Sequence, residues 1–226
     1  MLYVVSTPIG NLKDITLRAL ETLKSVDLIA AEDTRHTKIL LDAYGISKPL
    51  TSFFEHNEDR KTAHLVALMK EGKNIALVSD AGTPGLSDPG YPLIRRAQDE
   101  GIKVEVIPGV TALITALTAS GLPAHAFIFE GFLPSKAAAR RKKLEEFKGE
   151  RRTVIFYESP HRLLKTLKDI AQVLDDPTVV CARELTKKFE EVKKGSAEEL
   201  SAHFTRHSPK GEFVVLIKDQ NANHYN

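Results

Sequence analysis

Hydrophobic and polar positions along the chain follow two alternating periods. Short β-branched apolar runs at Leu2–Val5, Leu28–Ala31, Ile75–Val78, Val104–Ile107, Thr153–Phe156, Val179–Ala182 and Phe213–Ile217 read as buried strands. Between several of them the apolar positions take helical spacing. Leu65, Leu68 and Met69 share one face, while Lys61, Lys70 and Glu71 face water. Gly45, Gly72 and Gly101 close such segments, where a helix C-terminus favours a residue tolerant of positive φ. Strand, helix and strand repeated in this way predict parallel pairing through crossovers, hence an α/β architecture.

A second alternating series starts at Phe127. The break before it predicts two α/β lobes, 1–117 and 118–219, each of ordinary domain size. No low-complexity linker separates them, so the lobes are expected to pack closely, with the ligand site in a cleft between them. The tail 220–226 is polar and unpatterned; it is expected to be disordered and is given no role.

Composition narrows the class. At 226 residues, 42% hydrophobic and 27% charged, the chain is that of a soluble globular protein. A single cysteine, Cys181, excludes a disulfide framework and a Cys-rich zinc site, and suits a reducing compartment. The first apolar run ends at Ser6-Thr7-Pro8, too short for a signal-peptide core, and no stretch approaches the ~20 apolar residues of a spanning helix. A cytoplasmic protein with no membrane partner is expected. The net charge of +2 selects no partner, but its distribution is uneven. From Lys136 to Arg152 eight basic residues face three acidic ones. That run, with Arg140 and Arg141 at its centre, is either a solvated helix face or a patch that contacts phosphates.

The densest chemistry lies in Ser79-Asp80-Ala81-Gly82-Thr83-Pro84-Gly85-Leu86-Ser87-Asp88-Pro89-Gly90, between a strand and the helix predicted at Tyr91–Glu100. Loops at the carboxyl ends of parallel strands are where open α/β sheets bind ligands, and glycine there permits close backbone approach. The chain contains no Gly-x-Gly and no Gly-Lys-Ser/Thr, so neither a dinucleotide fingerprint nor a phosphate-cradling P-loop is present. Further polar clusters follow other strands: Ser6–Leu12, Ala31–His36, Pro108–Ala112, Tyr157–Arg162 and Ala182–Lys187. Any one could be a helix cap, as Asp33, Thr34 or Ser159 would be; together they outline an active site. His203-x-x-x-His207 lacks further ligands and reads as surface histidines, so no metal is expected. Cys181 reads as a buried inert thiol, and Ser79 and Ser87 lack a nucleophile elbow.

In this order the motifs Val5–Leu12, Ala31–Arg35, Ser79–Gly90, Pro108-Gly109, Gly131–Pro134, Glu158–Arg162 and Ala182–Lys187 resemble those of the ribosomal RNA small subunit methyltransferase I family, a branch of the tetrapyrrole methylase superfamily. The resemblance runs to about Lys218. It implies a mainly parallel N-terminal sheet, a mixed C-terminal sheet and S-adenosylmethionine as cofactor. It also implies a homodimer that methylates the ribose 2′-oxygen of a cytidine in the decoding region of 16S rRNA, within the small ribosomal subunit. By motif position the cofactor would meet Pro8, Asp80, Ala81, Gly82, Thr83, Pro84, Pro108, Gly109, Thr111 and Ala112. From the second lobe it would meet Phe132, Leu133, Tyr157, Ala182, Pro209 and Gly211.

The implied chemistry sets further requirements. In-line methyl transfer depends on positioning, and the sulfonium charge disappears as the methyl leaves, so backbone carbonyls suit the pocket better than paired carboxylates. The ribose alcohol needs a base. Glu158, Glu32 and Asp33 are the candidates, with Arg35 to orient the base and His36, His56 and His161 as alternatives that also fit RNA contacts. Arg140, Arg141, Arg162, Arg183 and Lys187 would hold phosphates. The rival readings are a precorrin-type C-methylase and a non-catalytic RNA-binding module.

Overall fold

The computed structural model describes residues 1–175 and 177–219. The tail 220–226, expected to be disordered, lies outside the described residues. Contacts divide the chain into two compact units, the first Met1–Thr111 and the second beginning at Ala112.

The first unit runs β1 (Leu2–Val5), α1 (Leu17–Ser25), β2 (Leu28–Ala31), α2 (Thr34–Ala43), β3 (Leu50–Ser52), α3 (Glu58–Lys70), β4 (Ile75–Val78), α4 (Tyr91–Asp99) and β5 (Val104–Ile107). Its five strands are all parallel, in the order β3-β2-β4-β1-β5. Both faces are covered, which is why the inner strands read as continuous apolar runs. Leu2, Val4, Ile75 and Leu77 pack with Leu65, Met69 and Leu93 of α3 and α4. Val5, Ile29, Ala76 and Val78 pack on the other face with Leu23 and Leu41 of α1 and α2. The connection from β1 goes to β2, past β4; the connection from β4 goes to β5, past β1. The chain therefore reverses direction between β1 and β4, and this switch point is where an open α/β sheet leaves a crevice.

The second unit continues with α5 (Ala112–Ser120), β6 (Phe127–Phe132), α6 (Ala137–Glu145), β7 (Thr153–Glu158), α7 (Leu163–Val173), β8 (Thr178–Arg183), β9 (Glu191–Gly195), α8 (Ala197–Arg206) and β10 (Phe213–Lys218). The sheet order is β6-β7-β10-β8-β9, with only β6 and β7 parallel. Helices α6, α7 and α8 cover one face through Leu144, Leu167, Ile170, Leu200 and Phe204. Helix α5 packs against β7, β8, β9 and β10, so the division falls at Thr111/Ala112 rather than at 117/118.

Three strands were not expected. β3 is three half-buried residues without an apolar run. β6 is interrupted by Glu130 and Gly131, where the register with β7 shifts. β9 is a polar edge. Strands β7, β8 and β10 run slightly beyond their expected ends because Glu158, Arg183 and Lys218 continue their ladders. Lys61 is half-buried and donates to Thr51 Oγ1 at 2.7 Å, so it does not simply face water.

The basic run is corrected at its centre. Arg140 is 3% exposed, and its guanidinium pairs with Asp169 of α7 at 2.6 Å and donates to the Ser135 carbonyl at 3.1 Å. A buried guanidinium spent on an internal carboxylate ties α6 to α7 and has nothing to offer a phosphate. Arg141 remains half-exposed, reaching the other oxygen of Asp169 at 3.3 Å. Removing one partner of a buried pair leaves the other charge stranded. Arg140→Ala is therefore expected to lower unfolding free energy by about 3 kcal/mol in a urea titration. Arg141→Ala should cost less than about 1 kcal/mol; equal, small losses would show that the pair does not anchor α6.

Candidate active site

The carboxyl-end loops of the first sheet are tied to one another. Beyond β1, Thr7 N–H donates to the Gly82 carbonyl at 2.8 Å and Gly82 N–H returns to the Thr7 carbonyl at 3.0 Å. Thr7 Oγ1 donates to the Ser79 carbonyl, and the Ser6 and Thr83 hydroxyls meet at 2.8 Å. Gly82 reaches this position with φ +76°, in the left-handed region that favours glycine. The loop after β5 joins them: a Cβ at Gly109 would lie 2.8 Å from Ser6 Cβ, so the close approach requires glycine. The glycine-rich turn is closed at its far end by Glu58 of α3, whose carboxylate accepts Gly90 N–H at 2.8 Å. Glu58 was not foreseen, since its partner is 32 residues away with no local pattern to reveal it.

Beside this bridge stand three carboxylates on the ends of β2 and β4. Asp33 N–H donates to Asp80 Oδ1 at 3.0 Å, and Asp80 N–H donates to Glu32 Oε2 at 3.2 Å. Burial pushes the Glu32 carboxyl above its ordinary value; the negative charges of Asp80 and Asp33 act in the same direction, and the Asp80 N–H works against them. Asp33 differs. The side chain and backbone N–H of Arg35 hold it down to about 2, with Arg35 Nη2 at 2.7 Å. It also caps α2, as the sequence allowed. His36 and His56 are exposed, the latter edge-on to Phe54.

Pro8, Gly82 and Pro84 are buried in the loops, Asp80, Ala81 and Thr83 are half-buried beside them, and Pro108 and Gly109 are exposed. Thr111 and Ala112 are half-buried on either side of the division. In the second unit Phe132 is exposed and stacks edge-on with the half-buried Tyr157. Leu133 and Ala182 are buried, so neither presents a side chain to a ligand; Ala182 pairs with Val214 and Val192 inside the sheet. Pro209 and Gly211 are half-buried, and Gly211 approaches Glu184 so closely that a Cβ would collide with its carboxylate.

Several second-unit candidates serve the fold. Glu158 is buried, and its oxygens take Thr166 Oγ1, Ser159 N–H and the Arg162 guanidinium. A carboxylate engaged on both oxygens positions the turn after β7. Arg162 also donates to the Leu133 carbonyl at 2.6 Å. Arg183 pairs with Glu191 at 2.9 Å, and Lys187 with Glu184 and Glu212 at 3.0 and 2.7 Å. Of the expected RNA-contacting side chains in this unit, His161 faces solvent and Arg141 is exposed beside Asp169. His203 bonds Glu191 at 2.9 Å and stacks on His207, and burial pushes the Cys181 thiol up. Among the described residues no group of three metal-ligating side chains comes together, and no helix is long and apolar enough to cross a membrane.

The family model for Tetrapyrrole (Corrin/Porphyrin) Methylases matches residues 1–201. The chain is 50% identical to a Thermotoga maritima protein named ribosomal RNA small subunit methyltransferase I, covering 96% of this chain and 97% of that one. It is 52% identical to the protein of the same name from Escherichia coli O157:H7, covering 98% of this chain and 78% of that one. Among solved structures, a uroporphyrin-III C-methyl transferase from Thermus thermophilus, complexed with S-adenosylhomocysteine, aligns with TM-score 0.66 at 18% identity over 95% of this chain and 96% of that one.

The raised Glu32 carboxyl binds its proton more tightly in the folded chain than in the unfolded one. Its contribution to stability is present below the ordinary glutamate pKa and is lost as pH rises through the raised value. Glu32→Gln keeps an acceptor for Asp80 N–H and cannot ionise. The variant is expected to melt higher than wild type near pH 7, the gap closing below about pH 4. Equal melting temperatures across that range would show that Glu32 ionises freely.

Proposed function

The chain belongs to the tetrapyrrole (corrin/porphyrin) methylases, in the branch of the ribosomal RNA small subunit methyltransferases I, and on that premise we propose that it methylates small-subunit ribosomal RNA using S-adenosylmethionine. We place the modification on the ribose 2′-oxygen of a cytidine in the decoding region of 16S rRNA. The observation that carries the reading is the set of loops at the switch point. The segments that resemble the family's motifs, after β1, β4 and β5, are the ones joined at Thr7, Gly82 and Gly109.

The residues present fit such a donor. A Cβ at Gly82 would lie 3.6 Å from Ile9 Cγ2 and 3.8 Å from the Val110 carbonyl oxygen, so any longer side chain would fill the space among the three loops. Pro8, Asp80 to Pro84, and Pro108 to Thr111 would hold the donor largely through main-chain atoms. When bound, it supplies a methyl group carried on a sulfonium. The second-unit positions Phe132, Tyr157, Pro209 and Gly211 keep their assignment from sequence as part of the proposal, as does Ala112; Leu133 and Ala182 would contribute only backbone.

The chain's own task is to position the ribose hydroxyl and take its proton. Glu32 suits this role best. Its Oε2 is fixed by Asp80 N–H, and burial raises its proton affinity. Asp33, held down to about 2, is too weak a base, and with Arg35 it orients the turn. His36, His56 and His161 face solvent and are available to RNA, and Arg141 is exposed beside its partner Asp169. Action on the assembled subunit and a homodimeric state belong to the same proposal.

Small ribosomal subunits lacking the modification, incubated with the chain and labelled S-adenosylmethionine, are expected to carry the label on a cytidine sugar. Label on a base carbon, or none despite tight donor binding, rejects the reaction. Gly82→Arg is expected to abolish the heat of donor binding in calorimetry while leaving the circular-dichroism spectrum unchanged. Left-handed backbone at a non-glycine residue costs about 1–2 kcal/mol, which the fold can absorb. Retained binding would move the donor site elsewhere.

A further inference from the structure

The outer strand of the second sheet and the turn leading into it present a surplus of positive charge to water. In Lys187-Lys188-Phe189-Glu190-Glu191-Val192-Lys193-Lys194 the half-buried Glu191 is used internally, and Glu190, though exposed, is turned back onto the loop. Glu190 accepts Thr186 N–H at 2.6 Å, and Glu191 takes Arg183 at 2.9 Å and His203 at 2.9 Å. Lys187 is engaged by Glu184 and Glu212. Exposed to water are Lys188, Lys193 and Lys194, none with an ion pair among the described residues, together with the ring of Phe189.

Phe189 is 66% exposed, and Lys188 Nζ lies 5.6 Å from its ring centroid. The turn that projects it is strained: Glu184 and Thr186 have φ of +50° and +66°, left-handed values at residues other than glycine. Main-chain bonds from Glu184 N–H to the Glu212 carbonyl, from Lys187 N–H to the Glu184 carbonyl and from Glu190 N–H to the Lys187 carbonyl hold it in that shape. β9 pairs only with β8, so it is an edge. Lysines on an edge strand discourage pairing with another chain. A largely exposed benzyl ring works against that purpose, so edge protection accounts for the lysines and not for Phe189. Lys193 lies opposite Cys181 and Lys194 opposite Val180, on the two faces of the strand, and both stems can bring their ammonium groups toward the open edge.

A flat apolar ring among unpaired cations is complementary to a ligand that carries both phosphates and exposed base faces. We infer that the turn at Lys188-Phe189 and the edge of β9 form a contact site for a single-stranded segment of RNA, with Phe189 stacking on a base and Lys188, Lys193 and Lys194 against phosphates. The inference rests on the reading that the chain acts on ribosomal RNA, and it adds residues that none of the signature motifs contributes beyond Lys187.

The test uses the full chain and a labelled single-stranded oligoribonucleotide, titrated by fluorescence anisotropy over a series of salt concentrations. Phe189→Ala should weaken binding about ten-fold at every salt concentration and leave the salt slope unchanged, because stacking releases no counterions. Replacing Lys188, Lys193 and Lys194 together with Gln should reduce the slope by about two, as expected for three lost phosphate contacts on a single strand. Unchanged calorimetric binding of S-adenosylmethionine in both variants shows that they remain folded. Wild-type RNA affinity in both variants overturns the site. So does an unchanged RNA affinity with a lower sedimentation mass, which would make the patch a contact between copies. If RNA affinity falls in both variants while the wild-type chain transfers no methyl to small subunits, the contact stands and the assigned reaction fails.

Discussion

Two peptide hydrogen bonds between Thr7 and Gly82 do for the loops what the ladder does for the strands below them. β1 and β4 are neighbours whose chains leave in opposite directions, so nothing in the sheet itself would keep the segments beyond them together. The reciprocal bond does, and the rest is arranged around it: the Ser6 and Thr83 hydroxyls meet, Gly109 comes against Ser6, and Glu58 closes the far end of the turn. A ligand held by main-chain atoms needs those atoms fixed before it arrives. Here they are fixed by other main-chain atoms, which tolerates changes in side chains but not in the glycines.

Charge is distributed by the same economy. Beside the bridge, two neighbouring carboxylates after β2 are driven apart in proton affinity: Asp33 is held low by Arg35, and Glu32 is raised by burial. Two acids in one neighbourhood with unlike affinities can take unlike roles. In the second unit the basic residues that stand out in the sequence are largely consumed. Arg140, Arg162, Arg183 and Lys187 brace helices and turns against Asp169, Glu158, Glu191, Glu184 and Glu212. The exposed cations left for a polyanion are the lysines and arginines at the margins of the basic run, such as Lys142, Lys148 and Arg151, and those of the less conspicuous β9 stretch.

How much of this could be read from residues alone depends on the range of the interactions. The central strands of the first sheet are written as unbroken apolar runs because both faces are covered, and their ends at Val5, Ala31 and Val78 agree with expectation, as does that of the edge strand β5 at Ile107. The glycine-rich turn was legible as a ligand loop because glycine and proline are local signals. β9 was not, since an edge strand made of Glu, Val and Lys has the pattern of a loop. Nor could sequence separate the roles of Glu158 and Glu32. Each follows a strand, and only the contacts with Thr166, Ser159 and Arg162 show that Glu158 braces its own turn. For Arg140 the deciding fact is a partner on the next helix, in Asp169.

The position of β1 bears on how the protein is made. Of the strands in the first unit β1 is synthesised first, yet it is internal to its sheet, and its partners are Ile75–Val78 and Val104–Ile107. At ordinary elongation rates of roughly 5–20 residues per second, Leu2–Val5 waits several seconds for its first neighbour and longer for its second. Throughout that interval a bare, largely apolar tetrapeptide is available to whatever else is nascent around it, and the crevice above it cannot exist. Biosynthesis thus completes the crevice end of the first unit last, with the arrival of a strand a hundred residues downstream of the one it must flank.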